Sequence, residues 1–243
     1  MKDVYENFAS DYDEFGLFKW SANEKQFFDS LFKENNVHTV LDCACGTGQH
    51  LLMFSEMGLD VTGSDYSRAM LREAKTNLET HQKEIHLSQC DFRYLEQKHE
   101  DKFDAVVCLT TALPHLHTDE DLITALKSMK SRLNKNGLLV LTQGTTHFNL
   151  TLPSIQVLIN REDFSQIFVI ENEASFQTIH ILDLYHSNSR TESNQYDIVY
   201  RILLDDDYKR LLSEAGFQNI SIWGDYKKTD YTKESRRLIV VAK

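Results

Sequence analysis

With 243 residues and 41% hydrophobic side chains, the chain can fill a core as one large domain, or as a domain with a lid; no second full domain is required. Asp plus Glu number 37 against 26 Lys plus Arg, and the formal net charge of −11 disfavours a nucleic-acid partner. No apolar run approaches the roughly 18 residues of a membrane span, and Met1-Lys2-Asp3-Val4-Tyr5-Glu6 lacks the apolar core of a signal peptide, so a soluble cytoplasmic protein with no membrane partner is expected.

After an aromatic-rich start, Phe27, Phe28, Leu31 and Phe32 fall at helical offsets and predict an amphipathic helix over 24–33. A strand is expected at 39–43, then a helix at 49–57 built on Leu51, Leu52, Phe54 and Met57 and ended by Gly58. Residues 59–63 read as a second strand, and Ser67 or Asp65 is placed to cap a helix whose Met70, Leu71, Ala74 and Leu78 share a face. Strands three and four fall at 85–90 and 103–109; the latter is apolar except for Asp104, as a strand covered on both faces requires. Thr118-Asp119-Glu120-Asp121 opens a helix carrying Leu122, Ala125, Leu126, Met129 and Leu133, and Asn136-Gly137 turns into strand five at 138–142.

Strands separated by helices imply a parallel, doubly wound sheet. Between about 164 and 204 the pattern changes, with strand-like runs at 164–170, 176–185 and 196–204 joined by polar turns, which predicts an antiparallel insertion. A helix at 206–215, Gly216 as its stop, and strands at 219–223 and 238–241 follow.

The stretch Val40-Leu41-Asp42-Cys43-Ala44-Cys45-Gly46-Thr47-Gly48 places an acid and two glycines where a strand turns into a helix, and so marks a cofactor site. The dinucleotide fingerprint needs small residues at three offsets, here Ala44, Gly46 and Gln49, and the third fails. Asp42 also sets a carboxylate where a pyrophosphate would have to bind. A ligand with an ammonium, a sulfonium and a ribose but no phosphate gains from that charge, and S-adenosylmethionine is such a ligand. The cysteines at 43, 45, 90 and 108 show no C-x-x-C spacing and read as small buried apolar residues; Cys43 and Cys45 share a strand face, but a metal site there lacks a second ligand pair.

Over 37–143, and more weakly towards the C-terminus, the chain resembles the class I S-adenosylmethionine-dependent methyltransferases. Four stations carry the resemblance in order. The first is 40–48, the family's acidic-x-G-x-G-x-G with Ala44 in place of the first glycine. The second is Asp65, which the family uses to accept from the ribose hydroxyls, and the third is Asp91-Phe92, beside the adenine. Leu109-Thr110-Thr111 is the fourth, where the methionine end meets the substrate. The resemblance implies cofactor contacts from Tyr5, Tyr12, Asp42, Ala44, Cys45, Gly46, Gly48, Asp65, Tyr66, Met70, Asp91, Phe92, Leu109 and Thr110, and S-adenosyl-L-homocysteine as product. Taken singly, Asp65 also reads as a helix cap, Asp91 as a turn residue and Phe92 as core.

Within the superfamily the layout is similar to small-molecule enzymes, including the glycine and sugar-amine N-methyltransferases. In these, an arm like Tyr5-Glu6-Asn7-Phe8-Ala9-Ser10-Asp11-Tyr12-Asp13 closes over the cofactor and the insertion is a substrate lid. The expected architecture is thus α/β: a Rossmann-like, doubly wound, mostly parallel seven-stranded sheet with an antiparallel lid. Its expected layout is one domain over 1–243: arm and helix at 1–36, cofactor core at 37–150, lid at 151–204, and the last helix and two strands at 205–243.

Methyl transfer is an in-line displacement that rests on positioning and on excluding water. His115, in Leu113-Pro114-His115-Leu116, is the candidate base for an amine acceptor or else orients the substrate, and Tyr12 is the other candidate catalytic residue. His115 with His117 lacks a third metal partner, so no metal is expected, and His147 reads as a loop residue near the same mouth. A small-molecule methyl acceptor, most simply an amine, is the expected partner. The rival readings are an O-methyltransferase, a nucleotide-dependent oxidoreductase, and a non-catalytic binder of the cofactor. The base-methylating motif Asn/Asp-Pro-Pro-aromatic is absent, since Leu109-Thr110-Thr111-Ala112 stands after strand four.

Overall fold

The structure, a computed structural model, describes residues 5, 6, 9, 12, 13, 20–187 and 190–243. Its main sheet has seven strands in the order β10-β11-β5-β4-β1-β2-β3, built from β1 Thr39–Asp42, β2 Asp60–Asp65, β3 His86–Gln89, β4 Phe103–Cys108, β5 Leu133–Gln143, β10 Ile220–Trp223 and β11 Leu238–Ala242. The first five run parallel, and β11 is antiparallel to both β5 and β10. The chain leaves β1 towards β2 and β3, then returns to β4 on the other side. Such a reversal leaves a crevice at the carboxyl ends of β1 and β4.

Alternation along the buried strands supplies two cores. Val40, Ala105, Val107 and Val140 face α1 Ala22–Glu34, α2 Gln49–Glu56 and α3 Arg68–Thr80, while Leu41, Val106, Cys108 and Leu141 face α4 Asp119–Ser131 and α5 Asp205–Glu214. Both sheet faces are therefore covered, which is why these strands read as continuous apolar runs. The helices begin where the sequence supplies a side-chain acceptor. Ser21, Ser67 and Thr118 accept from the backbone N–H of Glu24, Met70 and Asp121, so Ser67, not Asp65, caps α3.

Three elements differ from expectation, one of them the last strand of the insertion, which runs over Arg190–Arg201 instead of 196–204. Strand β5 starts at Leu133, not at 138, because Leu133 pairs with Phe103 and Asn136-Gly137 forms a bulge inside the strand; Asn136 has φ 67°. Strand β6 Ile155–Asn160 was read only as part of the 151–204 insertion. It is an edge strand whose apolar Ile155 and Val157 are 63% and 59% exposed, so no burial pattern marks it. With β7 Phe164–Glu173, β8 Phe176–Ser187 and β9 Arg190–Arg201 it makes a four-stranded antiparallel sheet. No helix among the described residues is long and apolar enough to cross a membrane.

The antiparallel sheet is tied to the main one at β9. The His117 ring bonds the Val199 carbonyl at 3.1 Å, while Arg201 reaches the His117 carbonyl at 3.2 Å and pairs with Asp119 at 2.6 Å. These contacts hold β9 across the crevice.

Candidate active site

The turn after β1 is held open by its glycines. Gly46 and Gly48 have φ of +52° and +84°, and a Cβ at Gly48 would come within 3.3 Å of the Ala74 Cβ, so a side chain at either is strained. Asp42 lies beneath this turn, 1% exposed, accepting from the Ala44 N–H at 3.2 Å. Burial raises its pKa to about 6, against a partial opposing effect from His50. At the end of β2, Asp65 joins two loops: one oxygen accepts from Gly46 N and the other from Ser67 N, both at 2.8 Å. After β3, Asp91 caps the 3-10 turn Phe92–Gln97 and is gripped by the Arg93 guanidinium at 2.6 Å. Burial alone would raise the Asp91 pKa, but the hydrogen bonds from Arg93 outweigh it and hold it below the usual range.

Beyond β4 the backbone is strained. Thr110 and Thr111 have φ of 53° and 67°, a left-handed pair of non-glycine residues held by hydrogen bonds from their N–H groups to Thr142 at 3.0 and 2.9 Å. Strain of this kind persists only where the surroundings over-determine it, and it gathers at functional sites. The 3-10 turn Leu113–His115 follows and presents His115 to Tyr5, whose hydroxyl lies 2.9 Å from Nε2. The His115 ring also lies 4.8 Å from that of Tyr200 on β9. Burial, with a smaller contribution from His117, lowers the His115 pKa to about 4, so its imidazole is neutral at physiological pH. Burial raises the Tyr5 and Tyr12 hydroxyls well above their ordinary value and Tyr200 to about 12.

The N-terminal residues are latched to the glycine turn. Asp13 accepts from Thr47 Oγ1 at 2.8 Å, Gln49 Nε2 at 2.9 Å and Asn77 Nδ2 at 2.7 Å. This gives Gln49, which breaks the dinucleotide fingerprint, a use of its own. Asn7, Phe8, Ser10 and Asp11 of the expected arm lie outside the described residues.

Two cavities result. The larger, about 320 Å³, lies at the carboxyl ends of β1 to β4; the other, about 260 Å³, lies under the antiparallel sheet. Tyr5, Tyr12, Thr110 and Ile198 line both. Of the expected site residues, Tyr5, Tyr12, Ala44, Cys45, Gly46, Asp65, Tyr66, Met70, Asp91, Phe92, Thr110 and His115 line the larger cavity. Asp42, Gly48 and Leu109 are not in its wall: Asp42 is buried beneath the turn, Gly48 starts α2, and Leu109 is core. The sequence reading missed Ile198 and Tyr200, for which the only signal was the strand-like run at 196–204, and His50, which bonds Glu24 at 3.1 Å. His117 contacts β9, and His147 bonds Tyr231 at 3.2 Å.

Residues 40–137 match a family described as a methyltransferase domain. The chain is 29% identical to a glycine/sarcosine N-methyltransferase of Aphanothece halophytica, over 100% of this chain and 90% of that one. It is 30% identical to a glycine/sarcosine N-methyltransferase of Parasynechococcus marenigrum (strain WH8102), over 94% and 80%. Among solved structures, an S-adenosylmethionine-dependent methyltransferase from Clostridium acetobutylicum superposes with a TM-score of 0.82 at 18% identity, covering 99% of both chains. The sugar N-methyltransferase KedS8 from Streptoalloteichus sp superposes with a TM-score of 0.77 at 21% identity, covering 96% of this chain and 91% of that one. The fold, the turn after β1 and these relatives agree: the chain belongs to the class I S-adenosylmethionine-dependent methyltransferases and is an enzyme of that kind.

Proposed function

We propose that the enzyme moves a methyl group to a small-molecule amine, with the donor in the larger cavity and the acceptor in the smaller. The observation that carries this is the shared wall of Tyr5, Tyr12, Thr110 and Ile198, across which two bound molecules would meet. The names of the relatives support an amine: two act on glycine or sarcosine, and a structural neighbour on a sugar.

The larger cavity fits the cofactor on charge and shape. Asp65, Asp91 and Asp197 are in its wall and, among the described residues, no Lys or Arg is, which suits a cationic ligand and opposes a pyrophosphate. A Cβ at Gly46 would meet nothing within 4 Å, so the glycine leaves that part of the wall open for close approach. The N–H groups of Gly46 and Ser67 fix the Asp65 carboxylate in the wall. Asp65 would accept from the ribose hydroxyls, Asp91 and Phe92 would border the adenine with Tyr66 and Met70 beside it, and Ala44, Cys45 and Thr110 would face the methionine end. Asp42 would act through its charge from beneath the turn. When bound, the cofactor supplies an electrophilic methyl group on a sulfonium, open to in-line attack by an unprotonated nitrogen.

His115 holds and orients. A nitrogen with a pKa of about 4 is a poor acceptor for a proton from an ammonium, whose ordinary pKa lies between about 8 and 10. Its bond to the Tyr5 hydroxyl instead fixes that ring at the junction of the cavities. The amine would enter deprotonated, a state that burial away from water favours. Tyr12, edge-on to Tyr5 with centroids 6.1 Å apart, would help exclude water there.

A screen of isotopically labelled donor against amines, hydroxyls, thiols and carboxylates tests this reading. Label transferred to amines is the expected result, and label confined to any other class would contradict it.

A further inference from the structure

The smaller cavity has an unusual chemistry: its polar lining is neutral. Thr111, Thr145, Asn149, Gln156, Gln177 and Tyr200 supply hydroxyls and amides between Phe168, Ile170 and Ile179, and among the described residues no Lys, Arg, His, Asp or Glu lines it. Two nearby cations are engaged outside the lining. Arg201 pairs with Asp119 at 2.6 Å. Arg236 lends its backbone carbonyl to Asn149, while its guanidinium lies over the Phe148 ring, 4.5 Å from the centroid.

Most of the amide N–H groups are already engaged, and the donors that remain, such as the Tyr200 and Thr111 hydroxyls, are neutral. Both N–H groups of Asn149 are spent, on the carbonyls of Gly144 and of Arg236, and Gln156 donates to the Pro153 carbonyl at 3.2 Å. Gln177, 5% exposed, donates to Asn172 at 2.9 Å and accepts from Thr145 at 3.2 Å. What Asn149 has left for a ligand is its carbonyl oxygen, and Gln156 keeps its own beside a single N–H. Acceptor groups of this kind welcome a hydroxyl or N–H and oppose a carboxylate, which when ionised only accepts. Burying a carboxylate without a cation or a set of donors is strongly penalised.

Resting on the reading of this cavity as the acceptor site, we infer that the methyl acceptor is an amine on an uncharged, hydroxyl-bearing skeleton, and that the enzyme selects against amines carrying a carboxylate. The wall thus points away from free amino acids and towards amino-sugar-like molecules, although two relatives are named for glycine and sarcosine.

The test uses matched probes on the full chain loaded with S-adenosylhomocysteine: glucosamine against glucosaminic acid, and glycinamide against glycine. Calorimetry should show the carboxylate-free member of each pair binding at least about tenfold tighter, the scale of one unmet charged hydrogen bond. Gln156→Lys, with its fold checked by a thermal melt, should narrow that ratio by about tenfold, since it brings a cation to the wall. Equal or tighter binding of the acids, or no binding of either carboxylate-free probe, would overturn the inference. Turnover with labelled donor separates this from the parent reading. N-methylation that favours glycine or glucosaminic acid would defeat the inference and leave amine methylation standing. Label on a sugar hydroxyl, with the binding preference intact, would defeat the amine reading in both places and leave the selection against carboxylates standing.

Discussion

The larger cavity is walled mostly by loops at the carboxyl ends of parallel strands, with β9 closing one side, and the smaller by the antiparallel sheet together with the loops after β4 and β5; the first carries three carboxylates among its described residues and the second none. The difference follows from how each wall is made. Loops leaving parallel strands expose backbone N–H groups that need acceptors, so Asp65 and Asp91 take backbone hydrogen bonds in the wall and Asp42 does so beneath it, while the third carboxylate of the wall, Asp197, comes from β9. In the antiparallel sheet the strands satisfy one another, and alternate side chains are available to face a ligand. On the proposed assignment, the methyl donor would sit in a framework set largely by backbone demands, and the acceptor against side chains that can change without disturbing it.

The largest expected effect breaks the charged side of the comparison. Asp65→Ala removes the partner of Gly46 and Ser67 as well as the proposed ribose acceptor, and at about 1.5 to 3 kcal/mol per charged hydrogen bond it should weaken S-adenosylhomocysteine binding by at least about 100-fold in calorimetry. Affinity within about twofold of wild type would remove the ribose assignment.

Next is the buried histidine at the junction. Its pKa is lowered from 6.5 to about 4 in the folded protein, so the unfolded chain takes up the proton first and the native state loses stability as pH falls below 6.5, in full below about 4. Relative to His115→Asn, wild type should lose about 2 kcal/mol between pH 7 and pH 5 in urea melts. Asp42 works in the opposite sense: its pKa is raised to about 6, so its cost to the native state is relieved as pH falls through 6. Asp42→Asn should therefore make the acid loss steeper than in wild type. Equal pH slopes for wild type and His115→Asn would contradict the burial of a neutral imidazole.

Smaller effects sharpen the boundary. Tyr5→Phe removes the bond to His115 while keeping the ring, and should lower kcat by about tenfold with the cofactor dissociation constant changed less than about threefold. Asp13→Ala unlatches the N-terminal residues from Thr47, Gln49 and Asn77; on partly exposed groups this should weaken cofactor binding by only about threefold.

The two sides also differed in how far the sequence revealed them. The wall of the larger cavity was readable because strand ends, glycines and acids recur at fixed local spacing: Asp65, Asp91 and Phe92 each sit within two residues of an element boundary, and Gly46 lies in the short turn between β1 and α2. Asp42 showed the limit of this logic, since a residue can belong to the motif and yet lie beneath the wall. The acceptor wall was hidden. Thr110 was marked by the station after strand four, but Asn149, Gln156, Phe168, Gln177 and Tyr200 join it only through pairing of β6 to β9 and their docking at His117 and Asp119, contacts that no local pattern encodes. Strand β6 lacked even a burial rhythm, because its apolar residues face outward at the edge of the sheet.

The division of labour between the cavities is tested most directly by measuring cofactor dissociation constant and acceptor KM together for Asp65→Ala and Phe168→Ala. Asp65→Ala should raise the dissociation constant by at least about 100-fold, whereas Phe168→Ala should raise acceptor KM by about tenfold or more and leave the dissociation constant within about twofold. If Phe168→Ala weakened cofactor binding as much as it weakened the acceptor, or left acceptor KM unchanged, the smaller cavity would not be the acceptor site.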